Sequence, residues 1–215
     1  MPKIKTKRDD VLRSVEVDHL LDKADQGSVR YRPIELHDNS VDMLLRFEPT
    51  RIKCLIALLW IFGKRITENL KLKRKDFSLS RGGYLYVHYT ILKKKHRKTE
   101  PIPERRLKRI TLRNRYTSFI VPYIKTVKEP NAYVFPSDRS GYGYLSRIQA
   151  YRILKGLDQN CWLHLFRHSV ATEMAERGAT EEELMNWFDW DSYKTAHGYV
   201  KGGTKLTAKW SKRTW

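Results

Sequence analysis

Cysteine is scarce: the 215 residues hold only Cys54 and Cys161. They lie far apart, with no partner at metal-ligand spacing, so a zinc module and a disulfide scaffold are both excluded. Each sits in an apolar setting and reads as a buried free thiol in a reducing compartment. Long apolar runs are missing too. The longest, CLIALLWIFG from Cys54 to Gly63, is too short to span a bilayer and is flanked by charge. The N-terminal MPKIKTKRDD is basic, with no apolar stretch behind it to make a signal peptide. There is no GxxxxGK[ST] phosphate loop, no GxSxG elbow, and no acidic cluster of the kind a two-metal nuclease needs.

Acidic residues are outnumbered. Lys plus Arg total 43 against 24 Asp plus Glu, a formal charge of +19. Such a surplus points first to a polyanion, and among polyanions to nucleic acid. A basic ribosomal, tail-like or membrane-surface role is the alternative that charge alone leaves open. Hydrophobic residues make up 40% of the chain, enough for a core, so a disordered basic tail is excluded. The expected location is the cytoplasm or nucleoid DNA, with no membrane partner.

Apolar spacing divides the chain into elements. Val11, Leu12, Val15 and Leu20 predict a helix, which GSVRYRP interrupts. SVDMLLRF reads as a second helix with Ser40 as N-cap. TRIKCLIALLWIFGKR, with Thr50 as cap, is apolar almost all round and reads as a central buried helix. A short helix and a basic turn follow. Tyr84 to Leu92 and a shorter run near Thr99 to Ile102 then predict a β-hairpin with KKKHRK at its tip. Further helices are expected over NRYTSFIVPYIKTV, from Ser146 to Gly156, up to Gly178, after the capping box Thr180/Glu183, and around Tyr199. The expected class is mainly α with a small antiparallel β-sheet (α+β). Residues 1–38 read as a basic tail and short helix, 39–200 as one domain, and 201–215 as a flexible basic tail.

LHLFRHSVATEMAERG places His164 and Arg167 three residues apart, on one helical face, with His168 directly after. The pair can address a carboxylate, a metal or a phosphate. With the metal and phosphate-loop motifs gone, cations, hydrogen-bond donors and 12 tyrosines remain. That set suits metal-free work on a phosphodiester. Guanidinium groups grip non-bridging oxygens in bidentate geometry. The reaction also needs a nucleophile and a proton donor for the leaving oxygen.

Four segments, in order, resemble the boxes of the tyrosine recombinase (phage integrase) family: IFGKRITENLKL, LKKKHRKTEPIP, HLFRHSVATEMAERGA and NWFDWDSYKTAHGYV. The resemblance spans about residues 40 to 200. It implies that Arg65 and Arg167 hold the scissile phosphate. It makes His164 a phosphate contact or proton carrier, and Tyr199 the nucleophile that forms a covalent phosphotyrosyl link. Counted back from Pro101, the family's spacing implies Lys93 as the proton donor to the leaving 5′ oxygen, with Lys95 the runner-up. Trp190 stands where the family usually has a second histidine; an indole N–H only donates, so it is not a base. His168 reads as a residue that packs or orients. Arg65 has a second reading, as a surface arginine paired with Glu68. Lys71, Lys73, Arg74, Lys75, Lys94, Lys95, Arg97 and Lys98 read as DNA-backbone contacts, which position without reading sequence.

Two departures stand out. Asp189 replaces the family's usual glycine before the Trp190 position. Only some 35 to 40 residues precede the first box, where most members have a helical domain of about a hundred; the chain is either a minimal recombinase or a piece of something longer. The resemblance implies a site-specific recombinase or integrase of a mobile element or virus, working without metal, ATP or cofactor. It acts on double-stranded DNA and self-associates there, with a synaptic tetramer as the working form. Relaxation of DNA in the manner of type IB topoisomerases, and non-catalytic DNA binding on the same scaffold, are the alternative readings.

Overall fold

The computed structural model describes residues 11–31, 43–91, 105–137, 141–162 and 164–210, with side chains through Lys201. In chain order they form α1 (Ser14–Ala24), β1 (Ser28–Tyr31), β2 (Met43–Arg46), α2 (Pro49–Phe62), α3 (Ile66–Leu70), β3 (Phe77–Leu79), β4 (Tyr84–Thr90), β5 (Arg105–Thr111), α4 (Thr117–Thr126), α5 (Arg147–Leu157), α6 (Leu165–Glu176), α7 (Glu181–Phe188) and α8 (Tyr193–Trp210). The mainly α class with small antiparallel sheets is therefore observed: β1 pairs with β2, and β3-β4-β5 form a three-stranded sheet. No helix among the described residues is long and apolar enough to cross a membrane.

The core is organised on α2. Ile52, Leu55, Ile56, Ala57, Leu58 and Phe62 are fully buried, as its all-round apolar composition requires. Its N-cap is Glu48 with Pro49 in the first turn, not Thr50, whose hydroxyl instead donates to the Glu48 carboxylate at 2.6 Å. It ends at Gly63, which is left-handed (φ 56°). A Cβ at Gly63 would lie 2.6 Å from the Phe188 ring, so the chain needs glycine there for space as well as for backbone.

Helix α1 belongs to the same core through Val17, Leu20 and Leu21, and Leu12, just before it, joins them. Val15, expected on its apolar face, is 75% exposed. The Leu12 N–H donates to the Ser169 hydroxyl at 2.8 Å, and Arg13 grips Glu176 with two bonds of 2.7 and 3.1 Å. Both tie the N-terminal segment to α6.

The helix expected over SVDMLLRF is not found: Met43–Arg46 is a strand, paired antiparallel with β1 from Ser28↔Arg46 to Tyr31↔Met43. An apolar run this short fits a strand beside a neighbouring edge as well as a helical turn. Ser40 lies outside the described residues.

Strand β4 alternates as its sequence suggests, with Leu85, Val87 and Tyr89 buried. Its partner is Arg105–Thr111, in register from Tyr84↔Thr111 to Thr90↔Arg105. The expected short strand near residues 99–102, and the hairpin tip with it, lie outside the described residues.

Helix α5 begins as expected: the Ser146 hydroxyl accepts from the Gln149 N–H at 3.1 Å. Gly156 does not stop it. The residue sits inside the last turn, where a Cβ would meet Val29 at 2.5 Å, so it serves close packing on β1. The Thr180/Glu183 capping box opens α7. Helix α8 runs on through Trp210, so backbone expected to be a flexible tail from Lys201 is helical.

Candidate active site

Three chain segments supply the site: the turn between α2 and α3, helix α6, and the turn from α7 into α8. Arg65 is the N-cap of α3. Its N–H donates to Glu68 Oε2 at 2.9 Å and its Nη1 to Oε1 at 2.8 Å, so the i+3 pairing seen in the sequence is present. Glu68 is buried, while the Arg65 side chain keeps 21% exposure. Asn69 braces the turn from behind. Its amide nitrogen reaches the Arg65 carbonyl at 3.2 Å, and its Oδ1 accepts from the Tyr89 hydroxyl at 3.0 Å. The sheet thereby supports the arginine.

Arg167 is buried on α6. Nη1 donates to the Gly63 carbonyl at 3.0 Å and Nη2 to the Phe188 carbonyl at 2.6 Å. Two of its five N–H donors thus bind the two turns to each other. The guanidinium carbon lies 4.9 Å from the Phe188 ring centroid and 5.4 Å from that of Trp190. Burial, and next the charge of Arg65, lower its pKa to about 10. It remains a cation at neutral pH, held in a poorly solvated place where charge acts strongly on an anion.

Trp190 stacks on Phe188 (4.7 Å, 21°) and on Tyr199 (5.3 Å, 13°). Tyr199, half-buried on α8, sets its hydroxyl 3.1 Å from His168 Nδ1. Tyr193 is instead 59% exposed and stacks on His197. His164 is the exposed N-cap residue of α6, one turn before Arg167.

Arg65, Arg167, Trp190 and Tyr199 are thus gathered in one place, with His164 on the helix that carries Arg167. Lys93, Lys94, Lys95, Arg97 and Lys98 lie outside the described residues. Lys71 and Lys75 are exposed, and Lys73 and Arg74 partly so. Lys71 lies over Tyr144 and Lys73 over Tyr133, while Arg74 Nη1 donates to the Phe77 carbonyl at 3.2 Å. Both cysteines are buried thiols, and burial raises the pKa of Cys54 and lifts that of Cys161 to about 12. Among the described residues no three His, Cys, Asp or Glu side chains converge as metal ligands.

Residue-by-residue reading of the sequence passes over Lys64 and leaves Asp189 as an unexplained departure. Asp189 is left-handed (φ 53°, ψ 49°), which is why glycine suits the position. Aspartate is among the residues that tolerate this backbone best. Lys64, fully buried, forms an ion pair with its carboxylate. A lysine on the arginine box and an acid in place of a glycine were the only signals of that pair.

A mainly helical domain with a small sheet, gathering these side chains at the meeting of α3, α6 and α8, has the fold of a tyrosine recombinase catalytic domain. The chain belongs to the phage integrase family, whose model matches residues 11–204. Among solved structures it is similar to XerH site-specific recombinase bound to difH substrate in a pre-cleavage complex. That likeness has a TM-score of 0.60 at 17% identity, over 89% of this chain and 50% of that one. XerA recombinase gives 0.60 at 16%, over 95% and 66%. The Tn1549 transposon integrase in complex with transposon right-end DNA gives 0.56 at 15%, over 96% and 67%. The chain therefore spans between half and two thirds of the length of these neighbours. The curated proteins contain no match to it.

Proposed function

We propose that the chain is the catalytic part of a site-specific recombinase, cleaving and rejoining double-stranded DNA through a 3′-phosphotyrosyl intermediate. The observation that carries this reading is the packing of Tyr199 on Trp190, with the buried Arg167 over the same indole. One tyrosine of the 12 is held beside a desolvated guanidinium that has donors to spare.

The Tyr199 oxygen attacks phosphorus and loses its proton. The bond from phosphorus to the 5′ oxygen breaks, and that oxygen leaves as a hydroxyl. Attack by a 5′ hydroxyl on the phosphotyrosine reverses the step, so no ATP is consumed. Arg65 and Arg167 stabilise the charge that grows on the non-bridging oxygens, where fixed cations act most strongly. Trp190 donates its indole N–H to one of them. His164 contacts the phosphate or carries a proton, and Lys93, with Lys95 as runner-up, protonates the leaving oxygen.

Lys71, Lys73, Arg74, Lys75, Lys94, Lys95, Arg97 and Lys98 contact the DNA backbone. A charge of +19 makes affinity fall steeply with salt. The DNA-bound forms of XerH recombinase and the Tn1549 integrase support duplex DNA as the partner. Self-association on DNA as a synaptic tetramer, action on nucleoid DNA in a host cell, and origin in a mobile element or virus complete the reading.

The test is incubation with nicked suicide duplexes from the flanking genomic sequence, in EDTA, followed by denaturing electrophoresis. A protein–DNA adduct that disappears in Tyr199→Phe, with duplex binding retained, is the expected result. Binding without any adduct moves the chain to the non-catalytic class.

A further inference from the structure

Beneath the arginines lies a buried charge cluster that none of the proposed chemistry uses. Lys64 has no exposed side-chain surface, and its ammonium pairs with the Asp189 carboxylate, itself 6% exposed. Lys64 Nζ also donates to the Trp187 carbonyl at 2.9 Å. The other carboxylate oxygen lies 3.7 Å from Lys108 Nζ and 3.8 Å from Arg106 Nε, both on β5. Lys108 donates in turn to the Asn186 carbonyl at 2.8 Å and lies over the Trp187 ring.

The position is costly twice over. A left-handed backbone at a residue other than glycine is strained on the order of 1 kcal/mol. A buried ion pair recovers little more than its own desolvation, so it contributes little to stability. What the cluster does have is placement. Lys64 immediately precedes Arg65. Asp189 immediately precedes Trp190. Lys108 and Arg106 stand on β5, the strand that follows Lys93 and Lys95 in the sequence. One carboxylate therefore joins the residue before Arg65, the residue before Trp190 and strand β5.

We propose that Asp189 is a positioning residue: through Lys64 and Lys108 it clamps the Arg65 turn, the Trp190 turn and the β4–β5 hairpin at a common spacing. The inference rests on the recombinase reading above. It differs from the Arg167 bridge, which spans the Gly63 and Phe188 carbonyls and leaves the sheet untouched. Loss of the clamp leaves every catalytic side chain present and the fold intact, but lets Arg65 and Trp190 drift relative to each other.

The experiment compares the parent with Asp189→Gly, Asp189→Asn, Lys64→Met and the double variant Lys64→Met/Asp189→Asn. Glycine relieves the backbone strain and asparagine keeps the shape, but either leaves the buried Lys64 ammonium unpaired and should lower the thermal midpoint, so the double variant, which removes both charges, separates the clamp from that cost. Single-turnover adduct formation on the suicide duplex, duplex affinity and thermal midpoint are read for each. Misplacement of an angstrom costs up to about a hundredfold in rate, so a loss of about tenfold or more is expected in both Asp189 variants, with affinity within about twofold. The double variant should be no slower than the slower single, because both changes break one pair. Adduct rates within about twofold of the parent, or losses that simply add, overturn the clamp. Backbone amide exchange at residues 63–66 and 187–191 judges it independently of activity. Faster exchange there in Lys64→Met/Asp189→Asn than in the rest of the core supports it, and exchange no faster than in the rest of the core sinks it. A parent that forms no adduct at all counts against the recombinase reading, and the exchange data still decide the clamp.

Discussion

The Tyr199 hydroxyl and Nδ1 of His168 lie 3.1 Å apart, joining α8 to α6 one residue beyond Arg167. The helix that carries the buried guanidinium thus also holds the nucleophile's oxygen. The rings are 5.4 Å apart and tilted, and the Trp162 ring lies 6.1 Å from the imidazole. Indole stacking and the imidazole bond both aim Tyr199.

Replacing His168 with phenylalanine keeps the ring against Tyr199 and deletes the bond. One hydrogen bond is worth about 1 kcal/mol, so adduct formation should slow by roughly five- to tenfold while duplex affinity stays put. Single-turnover gels and fluorescence anisotropy check this. An unchanged rate would make the bond incidental to aiming Tyr199.

Arg167→Lys keeps the charge and loses the fork. An ammonium has no planar geometry to reach the Gly63 and Phe188 carbonyls and still present donors to a phosphate. The expected loss in cleavage rate is about a hundredfold or more, typical of removing a fixed donor to a developing anion. The unpaired carbonyls should also lower stability by about 1–3 kcal/mol, readable in urea unfolding. A lysine variant that cleaves normally would remove Arg167 from the chemistry.

How legible this was depends on where each signal lay. Helix α2 was plain, because its apolar residues leave no polar face, and α7 was plain from Thr180 and Glu183. Strand β5 was not. In RRLKRIT the residue that turns inward is Lys108 and the leucine, Leu107, is 52% exposed, so the strand carries no apolar alternation to read. Strand β2 was read as a helix because MLLR has no period of its own; its identity comes from β1. At the site, Arg65, Arg167, Trp190 and Tyr199 were named from the resemblance of their segments to the family's boxes. The Lys64–Asp189 pair was out of reach, since 125 residues separate its halves and no local pattern links them.

Gly63→Ala should be among the most damaging single-methyl changes in the chain. The residue is left-handed, and an added Cβ falls 2.6 Å from Phe188 Cε1 and 3.2 Å from the Val170 Cβ. Strained backbone and overpacking together should cost roughly 2–4 kcal/mol. Because Phe188 stacks on Trp190, cleavage should fall further than the thermal midpoint alone would suggest. Urea unfolding beside single-turnover cleavage separates the two effects; a midpoint equal to the parent's would show that Phe188 yields freely.

The buried ammonium of Lys64 makes a last prediction about pH. Burial, opposed by Asp189, lowers its pKa from 10.5 to about 8. Below about pH 8 the lysine is charged in both folded and unfolded chains, and the full cost of burying that charge is present. Between about 8 and 10.5 the unfolded chain binds the proton and the folded chain does not, so this group's contribution to stability rises with pH. A shift of that size corresponds to about 3 kcal/mol at most. Lys64→Met has no such slope. Arg167 and Tyr89 have shifted pKa values too, but they remain in both proteins and largely cancel in the difference; Lys108 shares the Asp189 carboxylate with Lys64, so the difference reports the coupled pair. Urea unfolding of the parent and of Lys64→Met at pH 7, 9 and 10 should therefore show the difference moving in the parent's favour as pH rises. Parallel curves would mean that Lys64 holds its proton as tightly folded as unfolded. The Asp189 carboxylate would then be compensating its burial fully.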